Sequence, residues 1–128
     1  MENNVNTKLN ELKSTMKLHN VVKLKSPIEI KVRLFNFNTG CADTVIDMRV
    51  EYVAKVPYGS ESDESYLAGH IMMVYGKKKY GSGNCYDGSV KLTYTDDEEL
   101  QKVIDAVRES GSPRPMTENV DSLRRYVN

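Results

Sequence analysis

The stretch "IEIKVRLFNFNTGCADTVIDMRVEYVAK", Ile28 to Lys55, decides how this chain folds. Ile28, Ile30, Val32 and Leu34 alternate with Glu29, Lys31, Arg33 and Phe35. A period of two is that of a strand with one face buried. "NTGC" at 38–41 supplies turn residues, and a second alternating run follows. In it Ile46, Met48, Val50, Tyr52 and Ala54 take one side, and Asp47, Arg49, Glu51, Val53 and Lys55 the other. The two runs predict an antiparallel hairpin that begins at Pro27, with opposite charges meeting across its outer face.

Toward the C-terminus, "PYGSESDES" after Val56 reads as a solvated acidic loop. "AGHIMMVYG" is apolar on both faces from Ile71 to Tyr75, which predicts an interior strand covered on both sides. "SVKLTYT" alternates again, with Val90, Leu92 and Tyr94 inward and Lys91 and Thr93 outward. A helix is expected over 96–110: Thr95 or Asp96 caps it, Glu98 or Glu99 completes a capping box, Leu100, Val103, Ile104 and Val107 form its stripe, and Gly111 stops it. "GSPRP" breaks the chain, and Thr117 can start a last short helix carrying Val120, Leu123 and Val127. Upstream of the hairpin, Val5, Leu9, Leu12 and Met16 align along one stripe of a short helix over 6–18. Such a helix is marginal alone and needs a surface, either its own sheet or a second copy of the protein.

The expected fold is therefore α+β, a four-stranded antiparallel meander with an N-terminal helix and one or two C-terminal helices, in the order α-β-β-β-β-α-α. The 128 residues fit a single domain, 1–128, with residues 1–20 as the N-terminal amphipathic helix and 112–128 as a loosely packed tail or helix.

The net charge of zero conceals blocks of alternating sign. Residues 1–33 carry seven basic against three acidic groups, 41–65 two against six, 66–95 four against one, and 96–110 two against six. A protein that grips long DNA nonspecifically has a basic domain overall, so an anion bound here should meet a local patch. No apolar run has the length of about 20 residues that spans a bilayer, and no secretory core opens the chain. A cytoplasmic protein without membrane contact is expected. Cys41 and Cys85 form no Cys-x-x-Cys pair, which signals neither a disulfide framework nor a zinc site.

The densest candidate site is "GKKKYGSGNCYDG", Gly76 to Gly88, read as a long hairpin loop. Its glycines allow positive φ angles and consecutive exposed N–H groups that hold phosphate oxygens, its lysines add charge, and its tyrosines can stack on a base. The expected ligand-binding residues are Lys77, Lys78, Lys79, Tyr80, Gly81, Gly83, Asn84 and Tyr86. The spacing matches no phosphate-loop pattern, and the plain alternative is a loop kept soluble by its lysines. In a meander this loop shares an end of the sheet with the 38–41 turn, which makes Cys41 and Cys85 neighbours.

Catalytic sets are poorly supported. His70 belongs at the far end of its strand from Cys85, which disfavours a Cys85, His70 and Asp87 triad. Ser82 lacks the Gly-x-Ser-x-Gly frame, and the "ESDE" run lacks a calcium-loop spacing. No catalytic residue, metal or cofactor is expected. Arg33, Arg49 and Lys31 with Phe35 and Phe37 resemble a nucleic-acid platform, but Glu29, Asp47 and Glu51 share that face, so cross-strand salt bridges are the expected use.

Two functions compete. One is a small non-enzymatic binding protein that holds a phosphate-bearing ligand, a nucleotide or short RNA, at the basic Gly-rich loop, within a homo-oligomer. The alternative is a protein–protein interaction or inhibitor protein that docks on a partner surface.

Overall fold

The alternating runs do form strands, and one sheet carries them all. The computed structural model describes residues 7–16, 20–57, 70–79, 83, 85–111 and 114–115. Helix α1 (Thr7–Thr15) leads into β1 (Asn20–Asn36), β2 (Cys41–Pro57), β3 (His70–Lys79), β4 (Cys85–Lys91), helix α2 (Asp97–Glu109) and the two-residue β5 (Arg114–Pro115). The sheet order is β4-β3-β2-β1-β5 with every pair antiparallel, an α+β meander as expected. The terminal helix read over 117–127 and the acidic loop lie outside the described residues.

Three expectations about the strands need correction. Strand β1 starts at Asn20, not Pro27, and places Val22 and Leu24 in the core. Its pairing with β2 is irregular between Lys23 and Ile28, and Pro27, which has no N–H to donate, falls in that interval.

The second correction concerns β2, whose alternation reverses partway. Val50 pairs with Gly76 but Tyr52 pairs with Tyr75, so Glu51 is an extra residue on β2, a bulge. The bulge shifts every later side chain to the opposite face. Val53 therefore joins the main core, while Tyr52 and Ala54 turn to the other face beside Met73 and Tyr75. Gly76 is required at this place, because a Cβ there would collide with the Arg49 carbonyl oxygen.

The third concerns the chain after β4. That strand ends at Lys91, and Leu92 to Thr95 form a turn closed by the Thr95 N–H donating to Leu92 O at 3.0 Å. Tyr94 is thereby turned outward and is 46% exposed instead of facing in.

Both helices pack on one face of the sheet. Leu9, Leu12 and Met16 of α1 and Leu100, Val103, Ile104 and Val107 of α2 join Val32, Met48, Val50, Met72, Val74 and Leu92 in a single core. Full burial of each such side chain contributes about 1.5–3 kcal/mol. The Arg108 guanidinium donates to Glu11 Oε1 at 3.1 Å and links the helices, and the Lys55 ammonium donates to the Lys13 and Met16 carbonyls that end α1. On the other face Ala54, Met73 and Tyr75 form a smaller buried cluster.

Helix α2 also covers the outer edge of β1. The Lys31 N–H donates to Glu99 Oε1 at 2.8 Å, and the Lys25 N–H donates to Ser110 Oγ at 2.9 Å. These are backbone donors that β5, pairing only with Asn20 and Val21, does not reach. A sheet edge that would otherwise recruit another chain is closed by side chains of the chain's own helix. The expected capping box is consequently absent. Asp96 is the N-cap residue, yet its carboxylate makes no cap hydrogen bond and instead receives the Arg33 guanidinium.

Candidate functional site

The lysine-rich stretch is mostly strand. Lys77, Lys78 and Lys79 belong to β3, and only residues 80–84 connect it to β4. Alternation then separates the three lysines. Lys77 and Lys79 point to the face away from the helices, where Lys77 pairs with Asp87. Lys78 points to the helix-bearing face, opposite Tyr86 in register. Tyr86 is 52% exposed, and Gly83 has a φ of 91°. Tyr80, Gly81 and Asn84 lie outside the described residues. The expected site is thus divided between two faces, with Lys78 and Tyr86 on one and Lys77 and Lys79 on the other.

The strand register also separates the cysteines. Cys85 pairs with Lys79, which pairs with Asp47, whereas Cys41 lies six residues further along β2, about 20 Å of strand. They are not neighbours. His70 and Lys79 stand at opposite ends of β3, so the backbone keeps His70 and Cys85 roughly 30 Å apart. A triad of Cys85, His70 and Asp87 does not form.

What the fold does assemble is a groove of about 560 Å³ between β1 and β4. One wall is aromatic: Phe35 and Phe37 at the end of β1 meet edge to face, with centroids 4.9 Å apart and planes at 72°. Tyr94 reaches Phe35 from the turn after β4, at 6.0 Å between centroids. The rings are exposed, Phe37 at 89%. Lys78, Ser89, Val90 and Lys91 line the other side, and Arg33 and Leu34 complete the groove from β1.

Curl of the sheet creates this groove. Leu34 pairs with Thr44, whereas Val90 is aligned through Val74 with Val53, nine residues further along β2. On a flat sheet the two would lie about 30 Å apart along the strands and three strand spacings apart across them. Twist and tilt of the curled sheet bring them to one groove.

The cations around the groove are not equivalent. Arg33 is held by Asp96 through two hydrogen bonds, Nε to Oδ1 at 3.2 Å and Nη2 to Oδ2 at 3.3 Å, which keeps it firmly protonated above its ordinary value. Lys31 donates to Asp47 Oδ1 at 3.0 Å, and that hydrogen bond, followed by the charge of Asp47, raises its pKa. Lys31–Asp47 is a cross-strand ion pair of the kind expected for this face, whereas Arg33 pairs with the helix residue Asp96, which was not expected. In contrast, the ammonium groups of Lys78 and Lys91 have no hydrogen-bond or ion-pair partner among the described residues. Lys78 is also half-buried, its stem lying across Gly88.

Sequence reasoning weighed Phe35 and Phe37 beside Arg33 but missed Lys91 and Tyr94. The signal for Tyr94 was the "TYTDDEE" junction, where a strand must end before a helix with an acidic first turn, so that alternation stops applying. Nothing local marks Lys91. Among the described residues no group of three histidine, cysteine or acidic side chains could hold a metal, and no helix is long and apolar enough to cross a membrane.

Comparison of the chain with protein-family models, with curated proteins and with solved structures finds no match.

Proposed function

We propose that the protein is a non-enzymatic binding protein whose ligand carries both phosphate and a planar base, a nucleotide or a short RNA, held in the groove between β1 and β4. The observation that carries this reading is the pairing of two ammonium groups without a partner among the described residues, Lys78 and Lys91, with the exposed rings of Phe35, Phe37 and Tyr94 in one groove. Two ammonium groups whose charge no carboxylate among the described residues neutralises leave the groove locally positive, and an anion there complements that charge. Exposed rings supply stacking surface for a base whatever its sequence. The groove volume also falls in the range of 300–1,000 Å³ or so typical of small-ligand sites.

Titration calorimetry with a panel of nucleotides and short oligonucleotides tests it. Binding should weaken as salt rises, and the Lys78→Ala, Lys91→Ala double variant should bind more weakly and with a smaller salt dependence. No binding by any member of the panel, or identical binding by the double variant, removes the proposal.

A second reading is favoured by one observation. Val45, 46% exposed, lies outside the groove and adds to the apolar surface of Phe35 and Phe37 near the β1–β2 turn, the kind of patch that a protein partner or a second copy covers. Under that reading Val45→Asp abolishes capture of the partner or shifts the mass seen by light scattering. Nucleotide binding would not respond.

A further inference from the structure

We infer that the groove takes a single-stranded oligonucleotide of two or more residues in preference to a free mononucleotide. The inference rests on the reading above and narrows it. Its basis is the arrangement of the rings. Tyr94, Phe35 and Phe37 stand in a row with centroid steps of 6.0 Å and 4.9 Å, but the Phe35 and Phe37 planes meet at 72°. A flat base stacked on one of these two rings is therefore steeply inclined to the other and cannot stack on both. One nucleotide beside Phe35 and Tyr94 would leave Phe37 in water, where it is 89% exposed. A second base is what its face fits.

The opposing wall repeats the pattern. A Cβ at Gly88 would lie 2.8 Å from Lys78 Nζ, which puts that ammonium over Gly88, and Lys91 is three residues further along β4. The two cations therefore reach the groove from two strands and from opposite faces of β4, which places them apart along its wall and not on one point. Bases on the ring wall and phosphates on the lysine wall give an extended strand one direction through the groove.

The test is fluorescence anisotropy with a labelled series of one, two, four and six nucleotides of RNA, with wild type and Phe37→Ala. Affinity should rise at least tenfold from the mononucleotide to the tetranucleotide. Phe37→Ala should weaken the tetranucleotide about fivefold or more, the loss of one stacked base, and by a clearly larger factor than it weakens the mononucleotide. Equal affinity for one and four residues, or an equal loss for both on Phe37→Ala, overturns the oligonucleotide inference while the nucleotide reading stands. Absence of binding across the whole series overturns both.

Discussion

The Lys78 side chain rests on Gly88: a Cβ at Gly88 would lie 2.6 Å from Lys78 Cε and 2.8 Å from its Nζ. The absence of a side chain on β4 is what lets the neighbouring lysine of β3 lie flat and aim its ammonium along the groove. The obstructing atoms belong to a flexible side chain, so the backbone need not move to admit a methyl group. Gly88→Ala is expected to leave the thermal midpoint within about 2 °C of wild type, a surface-scale perturbation. It should weaken anion binding by roughly the same factor as Lys78→Ala. A variant that binds normally would show that Lys78 does not need this seat.

Gly76 presents the opposite case. There the atoms in the way are the Arg49 carbonyl and the Glu51 backbone at the β2 bulge, which cannot swing aside. Gly76→Ala is expected to cost about 2 kcal/mol or more, because two strands must separate locally. Urea unfolding would report it as a lower midpoint with an unchanged slope.

Thr95 is 1% exposed and its hydroxyl finds no hydrogen-bond partner among the described residues. Replacing a buried unsatisfied hydroxyl by a methyl of the same shape removes a desolvation penalty. Thr95→Val should therefore stabilise the protein, by about 1 kcal/mol, and calorimetric melting would show it. A lower midpoint would reveal a hydrogen bond made by that hydroxyl in solution.

Glu99 and Ser110 close the β1 edge at Lys31 and Lys25. In the Glu99→Ala, Ser110→Ala double variant both N–H groups are left to water, at a cost of about 1 kcal/mol for each bond. The newly open edge should also promote concentration-dependent association, visible as a rising scattering mass over time. A variant that stays the same size at high concentration would show that α2 itself, without those two acceptors, suffices to shield the strand.

The raised pKa of Lys31 fixes the sign of a pH effect. A lysine whose folded value exceeds the usual 10.5 contributes stability in full below that value and loses it as pH climbs through the higher folded value. The stability contributed by this pair should accordingly be present in full and independent of pH near neutrality, and be lost in strongly alkaline solution. Lys31→Gln should flatten that alkaline limb, and added salt should shrink the difference, because the pair is exposed.

How much of this was legible without coordinates depends on the range of the interaction concerned. Strands, helices and their order could be read from Ile28 through Lys55 and from 96–110, because side-chain periodicity is a property of consecutive residues. Even the meander follows, since short connections favour antiparallel neighbours. The sequence likewise anticipated cross-strand ion pairs on the outer face of the hairpin, and the register made one of them Lys31 with Asp47. The reversal of faces at Glu51 was hidden because a bulge is set by the partner strand, and Val53 looks no different in sequence whichever face it takes. The groove was hidden for a stronger reason. Phe35 and Lys91 are far apart in the chain and belong to strands that never pair, so only the coiling of the whole sheet can place them around one space. Local chemistry decided which elements exist; the twist accumulated across four strands decided which of their side chains meet.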